Sequence, residues 1–411
     1  MSQLKIYKSA KLHSGQHRIK NEVINSNAFF STIVCPRQWG KSVLLYNFML
    51  YYGVNNKNWY CVWATLTHQH AQDALRKIYE AIKDTGLVEE YNKTERRLKL
   101  INGSTLYFTG LEKYENFRSR STHLLIIDEA AFASEGAFNV LLPSLATTGR
   151  KVIMVSTPRG QHGEFYKYHQ LGLTDHKMYS SHRGLLIENP FRNRELIEAE
   201  RISKPEYIFR QEYLGEFLTS EFTLFKNLNK VNRIHSWQVY TSGDSYYGGI
   251  DVGRANDYTV LTILNQKKEV VYVYRDRQKT YENMIEHMVT KLREYDAHCL
   301  IEVNSVGDVV YELMNKQYNK IYPFYTSTKS KPDIIEKLIV QFENQKILIP
   351  NKKFFPPLET ELEQFQFFYN AKSRSVTYSA PQGLHDDTVI SLALANECYT
   401  NNKMDFAINI L

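Results

Sequence analysis

Cys35-Pro36-Arg37-Gln38-Trp39-Gly40-Lys41-Ser42 follows the apolar run Phe29 to Val34 and precedes a helix-compatible stretch from Val43 to Tyr52. A tight loop between a strand and a helix offers backbone N–H groups and a helix N-terminus to an anion, which makes it a polyphosphate cradle, the P-loop. In such a loop Lys41 reaches the β- and γ-phosphates of ATP and the Ser42 hydroxyl ligates Mg²⁺. Cys35 stands where the common form G-x-x-x-x-G-K-[ST] has its first glycine, and Gly40 keeps the second. Upstream, the Gln16 amide has the donor and acceptor needed to pair with an adenine edge.

Carboxylates supply the rest of the chemistry. Leu124-Leu125-Ile126-Ile127 reads as a buried strand, yet it ends in Asp128 and Glu129. Ligands of open α/β sheets sit at the carboxyl ends of strands. There Asp128 would hold Mg²⁺, directly or through water, and Glu129 would polarise the water that attacks the γ-phosphate. Another apolar strand, Lys151 to Val155, ends in Ser156 and Thr157, hydroxyls placed to report the state of the nucleotide. A second set of acids lies downstream: Asp251 in Tyr246 to Val252, Glu302 in Cys299 to Val303, and Asp386 or Asp387 opening an apolar helix. Acids gathered this way repel and resist desolvation, so they call for cations between them. Two Mg²⁺ or Mn²⁺ ions would suit in-line attack on a phosphodiester. Asp257 is an auxiliary candidate, and Lys329 and Lys331 are candidate contacts to DNA phosphate.

The elements that must position these groups fall into two series. In the first half, apolar strands alternate with helices such as Thr67 to Asp84, and a hairpin turns at Asn102-Gly103. This is the order of a mostly parallel, doubly wound P-loop NTPase sheet. After a polar connection, strands near 246–252, 258–264 and 270–274 form an antiparallel meander. A helix from 281 to 295, the strand 299–303, and helices near 307–317, 332–344, 358–368 and 389–395 follow. Three strands, a helix, then alternating strands and helices is the order of an RNase H-like nuclease. The fold class is therefore α/β throughout, with an ATPase domain at 1–225 and an RNase H-like domain at 226–411.

Arg37 to Ser42, Leu124 to Ala131 and Ser156-Thr157-Pro158 resemble the P-loop, acidic and coupling motifs of the large terminase subunit of tailed double-stranded DNA bacteriophages. Arg37-Gln38 before Gly40-Lys41 is the variant P-loop of that family, which gives the absent first glycine a precedent. Phe209 to Phe217 resembles the segment that closes such ATPase domains. Gly249-Ile250-Asp251, a second acid at Glu302 and His385-Asp386-Asp387 resemble the motifs of its nuclease domain. The resemblance runs in order along nearly the whole chain. It implies an arginine finger at Arg118 or Arg120. It implies ATP-driven translocation of double-stranded DNA into a procapsid and cleavage of concatemers by a two-metal endonuclease. The partners it implies are a portal protein, a small terminase subunit and other copies of the chain in a ring, although the isolated chain can be monomeric. The expected location is the host cytoplasm, transiently at the portal vertex of the procapsid and outside the mature virion.

Composition agrees. At 411 residues with 43% hydrophobic and 13% aromatic content, the chain can bury two or three cores. A net charge of +7 leans toward polyanionic partners. The four cysteines lie far apart with no C-x-x-C pair, so neither a disulfide framework nor a zinc ribbon is indicated. No stretch has signal-peptide or membrane-spanning character, so no membrane partner is expected. Two rival readings use the same residues. A helicase-like DNA translocase whose second half only binds DNA has no use for the second set of acids, and an RNase H-like resolvase or recombinase has none for the nucleotide site.

Overall fold

The computed structural model describes residues 11–117, 121–174, 177–218, 224–253, 257–277, 280–304, 306–370 and 375–408. The chain divides into two compact units, Met1–Glu198 with Tyr207–Thr219, and Ala199–Glu206 with Ser220–Leu411. The division thus falls a few residues before the predicted 225/226, and Ala199–Glu206 belongs to the second unit.

In the first unit β1 (Phe30–Val34), β2 (Tyr60–Thr65), β3 (Val88–Asn92), β4 (Arg97–Leu100), β5 (Thr105–Gly110), β6 (Leu124–Asp128), β7 (Lys151–Ser156) and β8 (Tyr179–Arg183) form one sheet. Their order is β3-β4-β5-β2-β6-β7-β1-β8. Pairs from β5 through β8 are parallel, while β3 with β4 and β4 with β5 are antiparallel. Successive side chains of a strand point to opposite faces. Ile33, Trp63, Ile126 and Ile153 accordingly enter one core with the helices Ser14–Asn25, Lys41–Asn55 and His68–Ile82, while Val34, Val62, Ile127 and Met154 enter the other. Burial on both faces explains the unbroken apolar runs. Val34 lies in register with Ser156, and Asp128 with Val155. The carboxyl ends of β6, β7 and β1 therefore stand side by side.

In the second unit β9 (Asn232–Ile234) precedes a five-stranded sheet of β10 (Tyr246–Asp251), β11 (Thr259–Asn265), β12 (Val270–Asp276), β13 (His298–Glu302) and β14 (Ile321–Phe324), in the order β12-β11-β10-β13-β14. The meander is antiparallel, and β13 runs parallel to β10 with Ile250 opposite Ile301. That register sets Asp251 and Glu302 at neighbouring strand ends. One face packs on the helix Tyr281–Glu294 through Met284, Met288 and Leu292. The helix Asp387–Ile408 packs across β10 on the other, and it is far longer than the predicted 389–395. The predicted helix 358–368 is corrected: a helix spans Pro356–Gln364, and Gln366–Asn370 pairs antiparallel with Ser375–Ser379. The aromatic run Phe367-Phe368-Tyr369 suits a strand better than a helix end.

Gly249 is what lets the long helix approach. A Cβ there would lie 2.2 Å from the Ser391 carbonyl oxygen and 2.3 Å from the Ala395 nitrogen. The Ser391 hydroxyl closes the contact by donating to the Gly249 carbonyl at 2.8 Å. Gly249→Ala is expected to cost about 2 kcal/mol, since backbone rather than a pliant side chain blocks the methyl. Chemical denaturation followed through the second unit checks this; an unchanged midpoint would mean the helix shifts freely.

Candidate active sites

The P-loop turns through two left-handed residues, Gln38 (φ 56°) and Gly40 (φ 99°). Gly40 suits its place because a φ of 99° strains any other residue, and a Cβ there would also displace the Gln16 amide, 2.4 Å away. Cys35 needs no glycine: its φ is not positive, and its fully buried side chain sits against Gly184, where burial pushes the thiol up to about 12. Lys41 opens the helix and Ser42 follows it in the first turn. Lys41 Nζ lies 3.1 Å from Glu129 Oε1 and donates to Thr157 Oγ1 at 3.0 Å. The Ser156 hydroxyl donates to Glu129 Oε2 at 3.2 Å. Glu129 holds this place from a left-handed backbone (φ 53°, ψ 45°), a conformation that costs a non-glycine residue about 1 kcal/mol. Burial first, and then the adjoining Glu129, push the Asp128 carboxyl up to about 7 against the opposing pull of Lys41.

Gln16, the predicted adenine contact, bonds to the loop backbone here. Its carbonyl oxygen accepts from the His13 N–H at 2.9 Å and its amide donates to the Gly40 carbonyl at 2.8 Å, so in this structure it braces the P-loop. Arg37 pairs with Glu212 through its side chain, and its N–H donates to the Glu212 carbonyl at 2.7 Å. The segment Phe209 to Phe217 is in this way tied to the nucleotide loop. The Gln38 carbonyl accepts from Asn189 Nδ2 at 2.6 Å. Glu188 gathers further supports: it accepts from Trp39 Nε1 at 3.1 Å, the Leu185 N–H at 2.8 Å and Arg18 at 2.8 Å. The arginine-finger candidates Arg118 and Arg120 lie outside the described residues.

In the second unit Asp251, Glu302, Asp386 and Asp387 line one cleft of about 210 Å³ together with Asp257, Asn304 and Lys331. Desolvation, and then Glu302 and Asp387, hold the Asp251 carboxyl well above the usual range, with Lys331 opposing them. Burial pushes Asp387 up to about 6, although Oδ2 accepts from the Tyr258 N–H at 3.1 Å. Asn304 Nδ2 donates to Glu302 Oε1 at 3.0 Å, and Lys331 Nζ lies 3.9 Å from Asp386 Oδ2. Asp257, His385 and Asp387 each offer a ligand atom within 4.8 Å of the others. Lys329 precedes the helix Ser330–Glu343 and is exposed. A dense set of hard oxygen donors around one lysine fits divalent cations of the Mg²⁺ or Mn²⁺ type.

Residues 32–230 match the family described as terminase large subunit, T4likevirus-type, N-terminal, and residues 248–397 match the terminase RNaseH-like domain. The chain belongs to the large terminase subunits. The terminase large subunit of Thermus virus P23-45 is 24% identical over 341 residues, covering 76% of this chain and 69% of that protein. That of Escherichia phage T5 is 30% identical over 233 residues, 53% of this chain and 51% of that protein. A solved large terminase from a thermophilic bacteriophage shares the fold with a TM-score of 0.53 at 12% identity, covering 94% of this chain and 99% of that one. This terminase accordingly has an ATPase domain followed by an RNase H-like nuclease domain, and neither rival reading accounts for both matches. Among its described residues no helix is long and apolar enough to cross a membrane.

Proposed function

We propose that this terminase binds ATP at the P-loop, translocates double-stranded DNA into a procapsid and cuts concatemers at the Asp251 cleft. The observation that carries the reading is that two acid sets stand at the carboxyl ends of two separate sheets, one facing a phosphate loop and one facing none. In the ATPase domain Gly40, Lys41 and the P-loop backbone hold the phosphates, while Ser42 and Asp128 are the residues that would hold Mg²⁺. Lys41, now paired with Glu129 and Thr157, exchanges the carboxylate for phosphate oxygens when ATP arrives. Glu129 is then free to orient water, and Ser156 and Thr157 carry the change into β7. Gln16, Arg37 and Gln38 shape the loop that meets the nucleotide, with Gln16 beside the adenine. Arg118 or Arg120 serves a neighbouring subunit's nucleotide in a ring on the portal protein, with a small terminase subunit selecting the DNA.

In the nuclease domain Asp251, Glu302, Asp386 and Asp387 would hold two Mg²⁺ or Mn²⁺, with Asp257 in support. Divalent cations there supply Lewis acidity toward a phosphodiester. Lys331 and Lys329 meet the DNA backbone, contacts that position without reading sequence, as a motor must. The chain acts in the host cytoplasm and at the portal vertex.

Glu129→Gln is expected to bind ATP at least as tightly, because Lys41 loses a competing carboxylate, and to hydrolyse it about 10²- to 10³-fold more slowly. Fluorescent-nucleotide binding with phosphate release checks both, and weakened binding would make Glu129 a structural brace. Translocation is tested by DNase-protected DNA in portal-bearing procapsids. Protection is expected only with hydrolysable ATP, and its absence from an ATPase-active preparation would remove the motor.

A further inference from the structure

We infer that Arg275 and Glu361 are a positioning pair for the nuclease centre, holding Asp387 from two sides through one guanidinium. Arg275 lies on β12 and Glu361 on the helix Pro356–Gln364. Arg275 donates to Glu361 Oε1 at 2.9 Å, with side chains only 16% and 5% exposed. Glu361 Oε2 accepts from both the N–H of Thr388, at 2.8 Å, and its hydroxyl, at 2.5 Å. Thr388 directly follows Asp387 and is fully buried. On its other side the Arg275 guanidinium lies 3.3 Å from the Tyr258 ring centroid, and the Tyr258 N–H donates to Asp387 Oδ2.

The arrangement answers a conflict at the start of the long helix. Its first-turn N–H groups want an oxygen acceptor, and an aspartate at the helix start ordinarily supplies one. Asp386 and Asp387 are both at that start, yet both line the cleft. Glu361 satisfies the helix from a distant element, and so leaves both aspartates to the cleft. A carboxylate buried beside other acids would be costly alone, and Arg275 balances it. A buried pair of this kind is a weak source of stability, whereas groups that orient metal ligands typically affect metal affinity or activity about 10- to 100-fold.

The inference rests on Asp387 being a metal ligand, so the test separates the two. Mn²⁺ binding to the full-length protein is measured by electron paramagnetic resonance of free Mn²⁺, alongside the Mn²⁺ concentration for half-maximal plasmid cleavage. Arg275→Ala and Glu361→Gln are expected to weaken Mn²⁺ binding about 10- to 100-fold. Arg275→Lys, which keeps the charge toward Glu361 but cannot lie flat on Tyr258, should fall between them and wild type. Should Arg275→Ala fail to fold, Thr388→Val removes the hydroxyl bond alone and is expected to weaken Mn²⁺ several-fold. A folded variant that melts lower but binds Mn²⁺ as wild type does would make the pair structural and overturn the inference. Asp387→Asn binding Mn²⁺ like wild type would instead overturn the assignment of Asp387 itself.

Discussion

Lys41→Ala is expected to abolish ATP hydrolysis, with turnover falling by at least about 10²- to 10³-fold. The ammonium is the one cation bonded to Glu129 and Thr157 among the described residues, and it also pulls Asp128 toward ionisation. Its loss therefore acts twice. The γ-phosphate loses a donor where charge develops, and Asp128, already pushed up to about 7, faces Glu129 with no cation nearby and rises further. A protonated Asp128 is a poor Mg²⁺ ligand, so Mg²⁺-dependent nucleotide binding should weaken along with turnover. Phosphate release and fluorescent-nucleotide titration measure the two effects, and metal-dependent plasmid cleavage by the same preparation shows that it is folded. Normal turnover in Lys41→Ala would remove the nucleotide assignment.

Acids and strands were legible because each contradicts its local environment. Asp128, Asp251 and Glu302 interrupt apolar runs, and a buried strand gives no reason for a charge. The braces carry no such signature. Glu212 and Glu188 sit in polar helical or turn sequence, where an acid needs no explanation, yet they fasten the P-loop. Glu361 likewise lies among glutamates of the helix Pro356–Gln364, and only the fold brings it to Thr388, 27 residues away. Gln16 shows the converse. Its amide suits adenine chemically, and the same donor and acceptor also suit the loop backbone, a contact visible only once the fold brings Gly40 within hydrogen-bond distance. The misplaced end of the helix 358–368 arises because the apolar spacing of Leu358, Leu362 and Phe365 runs on into aromatic residues that can serve either element; pairing with Ser375–Ser379 decides for strand.

Asp251→Asn should eliminate metal-dependent DNA cleavage, a loss on the order of 10³-fold or about 4 kcal/mol of barrier, while ATP hydrolysis persists. Desolvation holds the Asp251 carboxyl well above the usual range, and it faces Glu302, Asp387 and Asp386. Asparagine keeps the shape and removes the charge, so the effect is on cation holding. Stability distinguishes this from collapse of the site. Without metal, the folded state holds a proton on Asp251 that the unfolded chain has released above the ordinary carboxyl range. Folding then binds protons, and this group's contribution to stability falls as pH rises toward its raised folded pKa. The asparagine variant lacks that loss, so in EDTA its melting temperature should gain on wild type as pH rises above the usual carboxyl range. Mn²⁺ reverses the order: wild type is stabilised by binding and the variant far less. If Asp251→Asn melts lower than wild type in EDTA at every pH, the carboxylate is a structural support. If it still cuts a supercoiled plasmid with Mn²⁺, the cleft formed by Asp251, Glu302 and Asp387 is not where this terminase cleaves DNA.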